Sequence, residues 1–317
     1  MVFFIIAGSF GRERFGGVLV GNTVIPSGDG EINVYNVSGS GASHPRVYFV
    51  NGIRVAGEDH AVTASLLSIL TERPVHGVYN KTSGMISGLY FDLKQCAKDY
   101  LAIVGDRIGN RHIPNTNIPD SEIEMMIQNL MKKSVVWNQA TASLFKDLVR
   151  NRSSMKFIVA HSQGNLITSN ALFVLEEFLG TQSLQKVRVY SLASPSPAWP
   201  QGLSKFSENQ GGGRQDNGFM NDLVALLRPQ NLAAKVGMEK YQSAGDFRYD
   251  PDSWRGVDPL LRPHDSVKNM QLNFLRSIRR DLGLNPNFEG NIEELQKQLA
   301  SEIKQDKSWL QWIDHYF

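Results

Sequence analysis

The sequence predicts an α/β domain with a mainly parallel central sheet and helices on both faces. Three observations lead there. Arg46 to Val50 (RVYFV), Lys156 to Ala160 (KFIVA) and Val187 to Leu192 (VRVYSL) are short, near-continuous apolar runs, as expected of strands buried on both faces. Helical-period segments separate such runs. Strands that alternate with helices in this way pair in parallel, because each crossover helix returns the chain to the same edge of the sheet.

In chain order, Met1 to Phe10 (MVFFIIAGSF) reads as a first strand, since it lacks the basic leader of a signal peptide and Arg12, Glu13 and Arg14 follow at once. Val18 to Ile25 and Glu31 to Val37 read as a meander joined by the turn-rich Pro26 to Gly30. The strand Arg46 to Val50 ends at Asn51-Gly52, a helix is expected over Glu58 to Glu72, a strand over Val75 to Tyr79 and a helix over Leu89 to Val104. A polar connection from Gly105 to Pro119 precedes a long helical stretch, opened by the capping box Ser121-x-x-Glu124 and running to about Val149. The strand Lys156 to Ala160, a helix over Gln163 to Leu179 and the strand Val187 to Leu192 follow. Gln201 to Asn217 reads as a Gly-rich polar loop, and Ala244 to Pro263 as a second irregular segment. Helices resume over Ser266 to Leu282 and after Asn291-x-x-Glu294. One domain is expected over 1–284, opening with the meander of about 1–45 and carrying long loops, with a helical appendage over 285–317.

Composition narrows the function. The 317 residues carry 33 Lys and Arg against 31 Asp and Glu, a net charge of +2, with 41% hydrophobic residues, so neither a disordered chain nor a dedicated nucleic-acid binder is expected. The one cysteine, Cys96, excludes an intrachain disulfide and a cysteine-based zinc site. No His, Asp and Glu grouping has metal-ligand spacing, and no apolar run approaches the roughly 18 residues of a membrane span. A cofactor-free protein is expected. The cytoplasm is the favoured compartment, with non-classical secretion as the other reading.

The chemistry concentrates in Phe157 to Leu166 (FIVAHSQGNL). A buried-type strand ends at Ala160, Ser162 follows, and Gly164 stands two residues beyond it at the head of an apolar helix. This is a nucleophile elbow. A tight strand-to-helix turn strains the serine backbone, needs small residues two before and two after, and lifts Oγ beside a helix N-terminus that favours an anionic transition state. Ser162 is the candidate nucleophile and the Gln163 N–H a candidate oxyanion donor.

At these residues the sequence resembles the serine hydrolases of the α/β-hydrolase fold, lipases and esterases in particular. The resemblance spans about Arg46 to Leu282 and implies that a carboxylate and then a histidine follow the serine. Asp222, in Phe219 to Pro229 (FMNDLVALLRP), looks like the acid of the fungal-type lipases; Asp246, Asp250 and Asp258 are weaker rivals, and a helix-capping role for Asp222 is compatible. His264, in Arg262 to Ser266 (RPHDS), stands where the family puts its base. His44, His60, His76 and His112 precede the serine, His161 adjoins it and His315 lies in the tail. Asn51-Gly52 occupies the place of the family's His-Gly pair, which makes the Ile53 N–H the second oxyanion donor and assigns Gly52 to close backbone approach. Two positions depart from the family pattern: Ala160 stands for the usual first Gly, and Asn51 for the usual His.

The resemblance implies hydrolysis of carboxylic esters through an acyl-enzyme, on a lipid or lipophilic small-molecule substrate. A thioesterase or acyltransferase would use the same triad, and an inactive binding module or effector is the alternative from another class. The aromatic end (Trp309, Trp312, Tyr316, Phe317) reads first as docked on its own domain, with peripheral membrane contact as the other reading. The sequence leaves the oligomeric state open.

Overall fold

A computed structural model describes residues 24–36, 45–53, 55–82, 86–103, 138–203, 213–219, 247–248 and 273–303. In chain order the elements are β1 (Ile32–Tyr35), β2 (Arg46–Val50), α1 (Gly57–Thr71), β3 (Val75–Val78), α2 (Ile86–Leu101), α3 (Gln139–Arg150), β4 (Lys156–His161), α4 (Gln163–Leu179), a 3-10 turn (Thr181–Lys186), β5 (Val187–Leu192), β6 (Gly213–Phe219), β7 (Phe247–Arg248) and α5 (Asn273–Asp281). A last helix, α6, covers 292–303. The strands form one sheet in the order β1-β3-β2-β4-β5-β6-β7. Every pairing is parallel except that of β1 with β3. The protein is thus α/β with a mixed, mostly parallel sheet.

Strand alternation sorts the core into two halves. Val47, Phe49, Phe157, Val159, Tyr190 and Leu192 join Leu66, Leu67 and Leu70 of α1, Leu275 and Ile278 of α5, and Leu299 and Ile303 of α6. Their neighbours along the same strands, Tyr48, Val50, Ile158, Ala160, Val187 and Val189, join Leu144 and Leu148 of α3 and Ile167, Ala171 and Leu172 of α4. Because successive strand side chains point to opposite faces, helices cover both. Helix α4 contacts both α2 and α3 as well as the sheet, which explains why its apolar residues run round the whole helix.

Polar anchors hold the outer helices. Arg188 pairs with Asp281 at 2.7 Å, and Tyr190 donates its hydroxyl hydrogen to the same carboxylate, tying α5 to β5. Arg279 donates to the Leu70 carbonyl at 2.6 Å, to the Asn285 carbonyl at 2.6 Å and to Glu72 at 3.2 Å, placing a cation at the carbonyl end of α1. The Asn291 cap of α6 forms as expected, its Oδ1 accepting from the Glu294 N–H at 3.2 Å. Among the described residues, no helix is long and apolar enough to cross a membrane.

Three expectations need correction. Val24 and Ile25 are not strand: the Val24 carbonyl accepts from the Tyr35 hydroxyl at 2.9 Å, and the neighbouring Pro26 carbonyl lies against Gly57 at the head of α1. The stretch running to about Val149 is not one helix, because α3 begins afresh at Asn138, which has extended backbone (φ −67°, ψ 135°) and caps the Ala140 N–H. Ser121 and Glu124 lie outside the described residues. The third concerns the loop expected over Gln201 to Asn217, whose end is strand β6, paired in register with Arg188 to Leu192. Its sequence, GRQDNGF, has no apolar alternation; β6 is specified by main-chain pairing to β5.

The Asn138 cap has a second task, since its Nδ2 donates to Asn80 Oδ1 at 3.1 Å in a buried setting. Asn138→Ala is therefore expected to cost about 2–3 kcal/mol, the sum of ~1 for the cap and ~1–2 for an orphaned buried acceptor. Urea unfolding checks this; a loss below ~1 kcal/mol would show that the Asn80 contact contributes nothing.

Candidate active site

The chain passes from β2 to β3 on one side and then to β4 on the other, so the connection direction reverses between β2 and β4. In open α/β sheets, the crevice beyond the carboxyl ends of the strands at such a reversal is where ligands bind. Two segments leave the sheet there: Asn51-Gly52 after β2 and Ser162 after β4.

Ser162 turns the chain from β4 into α4 with φ 55° and ψ −126°, a backbone state that costs a non-glycine residue on the order of 1–3 kcal/mol. Three contacts hold it. The Ser162 N–H donates to the Leu192 carbonyl at 3.0 Å, and the Ser162 carbonyl accepts from the Asn165 N–H at 2.9 Å. Asn165 Nδ2 adds bonds to the Ser162 carbonyl at 3.1 Å and the Leu192 carbonyl at 2.8 Å, fastening the turn to the end of β5. Gly164 completes the elbow, because a Cβ there would lie 2.2 Å from the Val50 carbonyl oxygen. Ala160 is buried in β4, paired between Val50 and Ser191. Ser162 stands at the N-cap position of α4 without spending its hydroxyl on a capping bond.

Gly52 is equally constrained. A Cβ on it would fall 2.5 Å from Ser162 Cβ and 2.9 Å from Oγ, so the loop after β2 touches the serine with its main chain. Asn51 Nδ2 donates to the Gly52 carbonyl at 3.0 Å. That carbonyl belongs to the same planar trans peptide as the Ile53 N–H, so fixing its oxygen also fixes the opposite direction in which the N–H points.

Behind these two loops runs a buried chain of amides. Asn51 Oδ1 accepts from the Asn80 N–H at 2.8 Å, and Asn51 Nδ2 donates to the Asn80 carbonyl at 2.9 Å. Asn80 Nδ2 donates to Gln163 Oε1 at 2.9 Å, and Gln163 Nε2 donates to Asp99 Oδ2 at 2.7 Å. Asp99 also accepts from Gln95 at 3.0 Å, and its carbonyl accepts from Asn170 at 3.0 Å. Burial pushes the Asp99 carboxyl up to about 6 against the opposing pull of its Gln163, Gln95 and Asn138 hydrogen bonds. At the other end, His60 Nδ1 lies 2.9 Å from Asn51 Oδ1. Since that oxygen can only accept, Nδ1 carries the proton of a neutral ring, consistent with burial holding His60 down to about 3.

Of the expected site residues, the structure brings together Ser162, Gln163, Gly164, Asn51, Gly52 and Ile53, with Ala160 beneath them. Asp222 and His264 lie outside the described residues, as do the rivals Asp246, Asp250 and Asp258. His60 is a structural ring in the network. His76 is held below its ordinary value by burial and then by Arg46; it sits in β3, tilted against Tyr48. Cys96 is a poor nucleophile, its thiol pushed up to about 12 by burial and by Asp99. Among the described residues, no group of His, Cys, Asp and Glu could hold a metal ion. Asn80, Asp99 and Asn138 were not singled out in the sequence; only the placement of Asn80 directly after an apolar strand could have marked it. Protein-family models, curated proteins and solved structures offer no match to this chain.

The two titrating ends of the network oppose each other in acid. His60 takes up a proton near 6.5 when unfolded and near 3 when folded, so its contribution to stability falls as pH drops through that window. Asp99 takes one up near 6 when folded and near 3.8 when unfolded, so its contribution rises as pH drops from 6 towards 4. Asp99→Asn keeps an oxygen for Gln163 but removes the titration. Its Tm is expected to fall more steeply than the wild type's between pH 6 and 4, by the equivalent of about 2–3 kcal/mol. Parallel melting curves across that range would contradict the assignment.

Proposed function

We propose that this chain is a serine hydrolase of the α/β-hydrolase fold that cleaves carboxylic esters through an acyl-enzyme, with a lipid or other lipophilic ester as substrate. The observation that carries the reading is Ser162 held at positive φ between β4 and α4, with the main chain of Gly52 against its Cβ and Oγ. A strained serine at a strand-to-helix turn, beside a helix N-terminus, is what a nucleophile elbow requires, and a glycine loop beside it is what a second oxyanion donor requires. The chain order agrees: Asp222 follows the end of β6 at Phe219, and His264 stands between β7 and α5. Strands β6 and β7 run parallel to β4 and β5, so the chain leaves both at the Ser162 edge of the sheet.

In this mechanism His264, oriented by Asp222, takes the Ser162 hydroxyl proton as Oγ attacks the ester carbonyl. The Gln163 and Ile53 N–H groups hold the oxyanion, and the tetrahedral intermediate collapses as His264 returns the proton to the departing alcohol. Water, deprotonated by His264, then releases the acid and restores the serine. The reaction requires no metal or cofactor, and an uncharged ester requires no electrostatic steering.

Ser162→Ala is expected to abolish hydrolysis of p-nitrophenyl esters with little change in Tm, and a fluorophosphonate probe is expected to label Ser162. Retained activity in the variant, or labelling of another serine, overturns the assignment, and a folded wild type that neither reacts nor hydrolyses points to a binding module. A panel of acyl chain lengths, phospholipids and thioesters separates lipase, phospholipase and thioesterase. Gly52→Ala would place its Cβ 2.5 Å from Ser162 Cβ and push the loop away from the serine. It is expected to lower kcat about 100-fold while the protein remains folded. Wild-type kcat in that variant would remove the Ile53 N–H from the oxyanion site.

A further inference from the structure

We propose that Asp99 is a positioning residue for both oxyanion donors, acting through the buried amide chain; the inference rests on the hydrolase reading above. Four links carry it. Asp99 Oδ2 accepts from Gln163 Nε2 at 2.7 Å, so the side chain of the residue whose main-chain N–H is the first donor is held at its far end. The other end of that amide, Oε1, accepts from Asn80 Nδ2 at 2.9 Å. Both main-chain groups of Asn80 are clasped by the Asn51 side chain, at 2.8 and 2.9 Å. Asn51 in turn bonds the Gly52 carbonyl at 3.0 Å, which fixes the plane of the peptide that carries the Ile53 N–H.

The chain has a direction. Asn51 is oriented by main-chain groups, since its Oδ1 accepts from the Asn80 N–H and its Nδ2 donates to the Asn80 and Gly52 carbonyls, whereas the Asn80 and Gln163 amides could each present either end. The Asn138 cap, whose Oδ1 is taken by the Ala140 N–H, directs Asn80 from one side, and Asp99 directs Gln163 in agreement with it from the other, because an ionised carboxylate only accepts. That carboxylate forces Gln163 to offer Nε2, hence to present Oε1 to Asn80, and Asn138 Nδ2 fixes the other side of Asn80 by donating to its Oδ1 at 3.1 Å. Asp99 is 2% exposed, so solvent does not substitute for it. The elements joined are α2, the end of β3, the loop after β2 and the head of α4.

The test compares wild type, Asp99→Asn and the double variant Asp99→Leu/Gln163→Met with a p-nitrophenyl ester and a trifluoromethyl ketone inhibitor. The double variant removes both partners of the central bond, so Asp99 and Gln163 do not orphan each other, while Asn80 Nδ2 and Gln95 Nε2 each lose an acceptor. It is expected to lose about 10- to 100-fold in kcat with KM changed less than ~3-fold, and to bind the trifluoromethyl ketone more weakly by a similar factor. Asp99→Asn, which still offers Gln163 an oxygen while the Gln95 amide turns to match, is expected to recover kcat to within ~3-fold of wild type. A folded double variant with wild-type kcat and inhibitor affinity overturns the positioning role. So does an Asp99→Asn variant as impaired as the double one. Should the double variant not fold, Gln163→Met alone is read by the same two outcomes. A wild type without esterase activity overturns the hydrolase reading, and the inference with it.

Discussion

The structure turns on a main-chain contact between the end of β2 and the head of α4. Gly164 packs where a Cβ would meet the Val50 carbonyl at 2.2 Å, and Gly52 packs where one would meet Ser162. Each glycine is fixed by the other's segment, so the two loops that leave the sheet at its switch point are brought together at backbone distance. Side chains could not do this, because any methyl group in the gap would separate a strained serine from the peptide beside it. The φ of 55° at Ser162 follows from the same contact: α4 can start against β2 only if the chain turns within one residue of β4.

The polar network behind that contact explains how a loop of short reach stays in place. Asn51 supplies two donors and an acceptor to main-chain groups, while His60 of α1 approaches the same acceptor from behind. An amide is suited to this task because it carries no charge to desolvate. The one ionisable acid, Asp99, is placed beyond Gln163, so its charge reaches the proposed oxyanion only across an intervening side chain. Burial disfavours a carboxylate in that setting and raises its pKa.

Much of the fold could be read from the sequence, because β2, β4 and β5 are short, near-continuous apolar runs and α1 and α4 are apolar stretches too long to be strands. The elements that were misread lack such a pattern. Strand β6 is GRQDNGF and is defined by its ladder to β5, which no local signal encodes. The start of α3 was missed since Asn138 acts through a cap that resembles any polar residue in a helical stretch. At the site, the elbow was legible as Ala160, Ser162 and Gly164 because steric demand restricts residue types at fixed spacing. Asn80 and Asp99 were not legible: they meet Gln163 from 83 and 64 residues away, and a hydrogen bond between distant side chains leaves no spacing to detect.

The near-neutral sequence also conceals a division between the two edges of the sheet. At the amino ends of the strands, Arg46 lies 3.7 Å from Asp147, Tyr48 donates to that same carboxylate at 2.6 Å, and Lys156 is held down to about 8 by burial and then by Lys186 and Arg46. At the carboxyl ends, the described hydrogen-bonding side chains behind Ser162 are the amides of Asn51, Asn80 and Gln163 and the neutral ring of His60, with Asp99 beyond Gln163. Charges at the far edge stabilise through local pairs and are separated from the serine by the length of β4. On the Ser162 side, the oxyanion of the proposed mechanism would meet amide dipoles fixed by hydrogen bonds. Preorganised dipoles of this kind stabilise transition-state charge most effectively when water is excluded, and Ser162 at 1% exposure lies in such a setting.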